Sequence, residues 1–101
     1  MIAGQVALDA NGNIVGPGNF AAQTEQVFRN VVAALEGAGA STVDLVKLTT
    51  YVTDLSNLAV FREMRDRFLD PTQPPASTLV QVSRLFRPEF LIEVEAMAVR
   101  Q

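Results

Sequence analysis

Residues 90–99 constrain the fold most strongly, because their side chains fall into two sets at a spacing of two. One set is entirely apolar: Phe90, Ile92, Val94, Ala96 and Ala98. The other set mixes apolar residues with two carboxylates: Leu91, Glu93, Glu95, Met97 and Val99. Successive side chains of a β-strand point to opposite faces. The pattern therefore predicts a strand with one face against an apolar core.

Two segments have the apolar spacing of amphipathic helices, residues 20–38 and residues 58–69. Residues that commonly cap helices precede both segments: Asn19 before the first, and Ser56 or Asn57 before the second. The proline-rich residues 70–75 cannot continue the second helix and predict a loop.

Further strands are predicted at residues 44–53 and 78–85, and a hairpin is predicted around Asn11-Gly12. Alternation in 44–53 would place Val46 with Leu48, Thr50 and Val52, and would place Leu45 on the opposite face with Lys47, Thr49, Tyr51 and Thr53. The order β-α-β-α-β-β predicts an α+β domain spanning residues 1–101, with two helices on one face of a single sheet. The second, partly apolar face would then be buried best against another subunit.

Composition excludes several kinds of site. The chain has no His and no Cys, so Ser-His-Asp and Cys-His mechanisms and thiolate zinc sites are excluded. We expect no metal and no cofactor. The net charge of −3 disfavours a nucleic-acid partner. No window has the length of a membrane span, and the first residues lack the features of a signal peptide, so a cytoplasmic protein is expected.

At this point the chain resembles the Rid superfamily (reactive intermediate deaminases, also called YjgF-like or endoribonuclease L-PSP proteins). The matching pieces are Gly4-Gln5-Val6, TEQVFRNVVAALEGAGAS, VDLVKLTTYVTDLSN, FREMRDRF, and VSRL followed by IEVEAMAV. Their order and spacing together are specific to the family, and they cover nearly the whole chain.

The resemblance implies a chorismate-mutase-like fold and a homotrimer with small-molecule clefts between subunits. It implies hydrolysis of 2-imino or 2-enamino acids to keto acids and ammonia. In that pattern an arginine grips the substrate carboxylate and a glutamate, matching Glu93, holds or activates water. Backbone groups, Gly4 among them, and a polar residue on the second helix complete the cleft.

Four departures from the family pattern shift this expectation. Ser77 replaces the carboxylate-binding arginine, Ala3 replaces a serine, and Arg62 stands where a polar residue is usual. The chain also begins near the usual end of the second strand, so the family's first strands are expected to be absent. Loss of a buried charge pair costs roughly 2–5 kcal/mol, so hydrolysis of 2-iminopropanoate is not expected unless another cation serves.

Each candidate residue has a functional and a structural interpretation. Arg62 could replace the missing cation or pair with Asp66 on the same helix. Arg84 would point away from Ser77 in a regular strand, which favours an ion-pair role. Glu93 could act as a base or lie in an interface salt bridge.

Three more residues could contact a ligand. Ser77 and Thr78 could offer hydrogen bonds to it, or they could simply begin a strand after Pro75. Tyr51 could line the cleft or pack in a trimer core. Two functions follow: a small-molecule deaminase that uses Glu93, or a non-catalytic trimer that binds a small molecule.

Overall fold

The computed structural model describes residues 1–100 and contains a four-stranded sheet and two α-helices. The elements in chain order are β1 (Ile2–Gln5), α1 (Phe20–Gly37), β2 (Leu45–Val52), α2 (Leu58–Phe68), β3 (Ala76–Gln81) and β4 (Ile92–Ala98). The strand order in the sheet is β1-β4-β2-β3, with β2 and β3 parallel and the other pairs antiparallel. The predicted α+β class and element order are confirmed. None of the helices among these residues is both long and apolar enough to cross a membrane.

Both helices pack on one face of the sheet, and the core lies between the two layers. The sheet contributes Leu48, Val52, Ile92, Val94 and Ala96, all nearly inaccessible to solvent. The helices contribute Val27, Phe28, Val31, Leu35 and Phe61. The apolar set predicted for the last strand is therefore the core side of β4, and its mixed set faces away from the helices.

Local hydrogen bonds set the helix ends. The Asn19 side chain accepts from the Ala22 amide at 3.0 Å, as predicted. Helix α1 ends where Gly39 adopts a positive φ of 77° and the Ala40 amide donates to the Leu35 carbonyl, a common glycine-dependent helix end. Asn57 precedes α2 but makes no capping bond with its side chain. The Asp54 carboxylate accepts from the Ser56 amide instead, at the start of the 3-10 turn Leu55–Asn57.

The alternation predicted at the start of β2 is wrong by one residue. Leu45 is buried in the core, whereas Val46 is exposed. The pairing of β2 with β4 shifts between Leu45 and Lys47, where an extra residue interrupts the ladder. Such a bulge reverses the side to which the following side chains point, and single-sequence alternation cannot locate it.

Strand β3 was predicted at residues 78–85 but occupies Ala76–Gln81. Its partner β2 ends at Val52 and then turns toward α2, so residues beyond the Val82 amide have no neighbouring strand to pair with. Arg84 thus lies in a loop, and the alternation used to orient it does not extend that far. The hairpin predicted around Asn11-Gly12 is present as a short antiparallel bridge between Leu8 and Ile14.

Thr50 and Thr24 are both fully buried but differ in their hydrogen bonds. The Thr24 hydroxyl donates to the Phe20 carbonyl at 2.8 Å, whereas the Thr50 hydroxyl has no partner within residues 1–100. A buried hydroxyl without a partner costs free energy that an apolar group of the same shape avoids.

We therefore expect Thr50→Val to raise the free energy of unfolding by about 1 kcal/mol. The matched change Thr24→Val should lower it by a similar amount, because it removes a hydrogen bond. Urea unfolding at one fixed protein concentration measures both. Equal destabilisation by the two changes would contradict the assignment of Thr50.

Candidate functional site

The face of the sheet turned away from the helices carries a group of ionisable side chains. Tyr51 of β2 stands directly opposite Glu93 of β4, and Thr49 stands opposite Glu95. Side chains opposite each other on neighbouring strands are in contact range. The tyrosine ring therefore lies beside two carboxylates near the centre of the open face.

Glu93 lies directly against the backbone of Gly4 in β1. A Cβ atom at position 4 would stand 2.6 Å from the Glu93 Oε2 atom and 2.8 Å from its Cδ atom. A side chain at position 4 would displace the Glu93 carboxylate from this position, so the absence of one at Gly4 allows the carboxylate to pack over β1. Gly4 thus has a structural reason to be glycine, in addition to the ligand contact predicted for its backbone.

Partial burial raises the pKa of the Glu93 carboxyl, and the nearby negative charge of Glu95 raises it further. The pKa of Tyr51 is raised as well, first by desolvation and then by the charge of Glu95. A carboxyl with a raised pKa exchanges protons closer to neutral pH, which suits it to acid-base chemistry.

An open cavity of about 470 Å³ lies in front of Glu93. Gly4 and Glu93 lie at one side, the hairpin contributes Val6, Leu8 and Gly12, and the loop between β3 and β4 contributes Phe86, Arg87 and Phe90. The walls are mainly apolar, and the cavity has one carboxylate and one guanidinium. This combination of apolar walls and a few polar groups fits a small organic molecule.

Helix α1 holds both walls of this cavity through two polar side chains. Asn30 donates from Nδ2 to the carbonyls of Val6 and Leu8, at 3.0 and 2.9 Å. The fully buried Gln23 donates to the Glu89 carbonyl at 2.8 Å and accepts from the Leu91 amide at 2.8 Å. The hairpin and the β3–β4 loop are irregular backbone, so these side chains supply the partners that a sheet ladder would otherwise provide.

The other predicted site residues lie farther from Glu93 within one chain. Thr78 shares the open face, but it stands opposite Thr49, two strands and roughly 10 Å from the backbone of β4. Ser77 stands opposite the core residue Leu48, so its side chain is directed toward the helix side of an edge strand. Their roles in ligand binding stay predictions.

Arg62 and Arg84 are exposed and line neither wall of the Glu93 cavity. Arg62 follows the buried Phe61 on α2, in the helix layer. Asp66, its proposed partner, contacts Arg65 instead at 3.2 Å. Within one chain the structure thus brings together Gly4, Tyr51 and Glu93, and the role proposed for Arg62 stays a prediction.

Sequence reasoning missed Arg87, Gln23 and Asn30. Arg87 is six residues before Glu93, in a segment predicted only as the connection between two strands. Polar residues such as Gln23 and Asn30, within the apolar stripe of a helix, are a usable signal, because a buried amide needs partners.

Among residues 1–100, no three Asp or Glu side chains converge as a metal site would require.

Comparison with known proteins places this arrangement in a family. Residues 1–100 match the model of the endoribonuclease L-PSP family. A RutC family protein of Pyrococcus abyssi is 38% identical over 100 residues, covering 99% of this chain and 77% of that protein. TdcF of Escherichia coli, named as a candidate reactive intermediate deaminase, is 36% identical over 86 residues, covering 83% of this chain and 66% of that protein.

Solved structures agree with the sequence matches. YyfB of Yersinia pestis, described as a member of the conserved Rid protein family, superposes with a TM-score of 0.90 and 43% identity, covering 96% of this chain and 74% of that one. Escherichia coli TdcF with bound serine gives a TM-score of 0.88 and 34% identity, covering 98% and 78%. The predicted YjgF-like fold is confirmed. The expectation that the chain lacks the family's first strands stays a prediction.

The raised pKa of Glu93 makes stability depend on pH. Below the ordinary glutamate pKa the carboxyl is protonated in both the folded and the unfolded chain. As pH rises through the window between the ordinary and the raised pKa, the folded chain holds more protons, so stability falls.

We expect the Glu93→Gln variant to lack this loss. Urea unfolding of both proteins from pH 4 to pH 8 should show the wild type losing stability relative to the variant as pH rises. A difference in unfolding free energy that stays constant over that range contradicts the raised pKa.

Proposed function

This chain belongs to the endoribonuclease L-PSP family, that is, the Rid superfamily, and on that premise we propose that it hydrolyses small reactive imines to carbonyl compounds and ammonia. The observation that carries the proposal is the Glu93 carboxyl, packed over Gly4 at one side of the cavity with its pKa raised. Such a carboxyl can take a proton from water and return it to a leaving amine.

The chemistry needs one group that exchanges a proton twice. In the first step the Glu93 carboxylate takes a proton from water while the water oxygen bonds to the imine carbon of a protonated imine. The electrons of the carbon-nitrogen double bond move to nitrogen, which gives a carbinolamine. In the second step Glu93 returns the proton to that nitrogen, the carbon-nitrogen bond breaks, and the hydroxyl becomes a carbonyl. The hydroxyl proton leaves with ammonia as ammonium.

The neighbours of Glu93 support this assignment. Tyr51 and Glu95 lie on the same face, and the nearby negative charge favours a protonated, cationic imine in the site. The mainly apolar cavity walls suit a small organic substrate. No histidine is present in the chain, so a carboxyl is the natural proton carrier.

We also propose that the protein acts as a cytoplasmic homotrimer. The helices cover one face of the sheet, while Val80 and Met97 on the other face are about 40% exposed, at 38% and 40%. Burial of that face against neighbouring copies would shield these residues and would bring a β3 edge, with Ser77 and Thr78, toward the Glu93 cavity of another copy.

The net charge of −3 argues against RNA as the substrate, despite the family's ribonuclease name.

A second function, non-catalytic binding of a small molecule, is favoured by one observation. Ser77 cannot supply the bidentate contact that a guanidinium makes with a carboxylate. The relative TdcF has been solved with serine bound, which shows that the fold takes up small ligands. In this alternative the cavity binds a metabolite and Glu93 makes a hydrogen bond to it.

The catalytic proposal predicts that Glu93→Gln lowers turnover about 100- to 10,000-fold, because the amide cannot exchange protons. Gly4→Ala should also lower turnover, since its Cβ would displace the carboxyl. Gly37→Ala is the matched control, because nothing lies within 4 Å of its Cβ position and turnover should be unchanged. Ammonia release from imines made in situ by an amino-acid oxidase measures all three.

Full turnover by Glu93→Gln contradicts the catalytic role of that residue. No ammonia release above the spontaneous rate, for imines of several side-chain sizes, contradicts the hydrolase itself. If small-molecule ligands nevertheless raise the melting temperature of the protein, non-catalytic binding replaces hydrolysis as the proposed function.

The assembly is tested separately. Sedimentation velocity at micromolar concentration should show a trimer. Val80→Glu should shift the population toward monomer, because its cross-strand neighbour is Tyr51 and the new charge would be buried between copies without a partner. A wild-type monomer at that concentration contradicts the trimer.

A further inference from the structure

We propose that Gln23 of α1 is a positioning residue for Glu93: its buried amide sets the place that the Glu93 carboxyl occupies over Gly4. Gln23 is not one of the residues that line the cavity, so it acts on Glu93 only through the backbone. The consequence for turnover rests on the proposed function. The position of the carboxyl itself can be measured without any reaction.

The single amide group of Gln23 joins three points of the backbone. Its Nε2 atom donates to the Glu89 carbonyl at 2.8 Å and to the Gly16 carbonyl at 3.3 Å. Its Oε1 atom accepts from the Leu91 amide at 2.8 Å. An amide nitrogen carries two hydrogens, so both donors have a partner.

These three points belong to the two walls of the Glu93 cavity. Gly16 directly follows Val15, whose amide donates to the Ala7 carbonyl of the hairpin at 2.8 Å. Glu89 and Leu91 lie in the loop that leads into β4. One side chain therefore connects the end of the hairpin with the start of the strand that carries Glu93.

The burial of Gln23 makes these bonds hard to replace. The residue has no exposure to solvent, and the Leu91 amide precedes the β4 ladder, which pairs with β2 from Ile92 onward. Removal of the amide would leave buried backbone groups without partners, and such groups are costly. The backbone around Glu89 and Leu91 would then have to move to find water or other partners.

The Glu93 carboxyl has little room for such a movement. Leu91 lies two residues before Glu93 and points to the same face of the sheet, roughly 7 Å away along the strand. The carboxyl packs over Gly4, where a Cβ atom would stand only 2.6 Å from Oε2. A shift at the start of β4 would therefore change how deeply the carboxyl is packed and how well it is shielded from water.

Thr24 provides the matched control for this assignment. It follows Gln23 on the same helix and is equally buried, but its hydroxyl bonds to the Phe20 carbonyl of the helix itself. Thr24→Val thus removes a buried hydrogen bond of α1 that does not reach either cavity wall. It separates the positioning of Glu93 from a general loss of stability.

The experiment follows the titration of the Glu93 side-chain carboxyl by carbon-13 NMR, with Glu93→Gln used to assign its signal. In the wild type, burial and the charge of Glu95 raise the pKa of this carboxyl. Gln23→Met keeps the length of the side chain but has no amide. We expect the Glu93 pKa to fall toward the ordinary glutamate value in Gln23→Met, because the carboxyl becomes better solvated. Thr24→Val should titrate as the wild type does.

The ionisable neighbours of Glu93 are the same in all these proteins. Tyr51 and Glu95 lie beside it on the open face, and Arg87 lines the same cavity. A change in the Glu93 titration therefore reports its position and not the loss of a neighbouring charge. If Gln23→Met does not fold, Gln23→Asn takes its place, since its shorter amide cannot reach all three backbone groups. The shift should then have the same direction and be smaller.

Ammonia release from imines made in situ tests the consequence for turnover. Gln23→Met should lower turnover about 10- to 100-fold, the effect of a displacement of about 1 Å caused from outside the site. Thr24→Val should keep the wild-type rate at a temperature where all variants are folded.

Three results would overturn the inference: an unchanged Glu93 titration in the Gln23 variant, an equal shift in Thr24→Val, or wild-type turnover in a variant whose titration has shifted. The hydrolase can fail separately. A shifted titration in Gln23→Met alone, without ammonia release by the wild type, supports the positioning of Glu93 and refutes hydrolysis. Ammonia release with wild-type titration and rate in Gln23→Met refutes the positioning and leaves hydrolysis standing.

Discussion

The buried amide of Gln23 is the interaction on which the rest of the site depends. It lies in the core side of α1 with no exposure to solvent, and there an amide without partners would be costly. Its two polar ends bind backbone groups on either side of Phe90, at Glu89 and Leu91. The segment that leads into β4 is thereby held against the helix. This contact fixes the position at which β4, and with it Glu93, begins to pair with its neighbouring strands.

A second amide on the same helix does the same for the opposite wall. Asn30 is seven residues after Gln23, about two helical turns, so the two side chains project from one side of α1. Asn30 binds the hairpin at Val6 and Leu8, and Gln23 binds the β3–β4 loop. One helix thus sets the separation of the two irregular segments that form the cavity. Because the helix also packs in the core, the shape of the site is tied to global folding.

The sequence predicted the fold correctly where apolar side chains recur at a regular spacing. The prediction failed where that spacing is interrupted. The mixed and apolar faces of β4 could be read directly, because its ladder with β2 is regular from Lys47 to Val52. The bulge at Leu45 and Val46, and the early end of β3, depend on where neighbouring strands begin and end, which local composition does not encode. Glu93 and Gly4 could be named in advance through the family resemblance, but their direct contact could not.

Arg87 was missed for a related physical reason. A residue in a turn has no face assigned by periodicity. The turn that carries Arg87 is followed by the bonds of Gln23 to Glu89 and Leu91, which lie 66 and 68 residues from Gln23 along the chain. The consequence concerns how the site is assembled. Position 77 lies on an edge strand, two strands from Glu93. Arg87, in contrast, lines the same cavity as Glu93 within one chain.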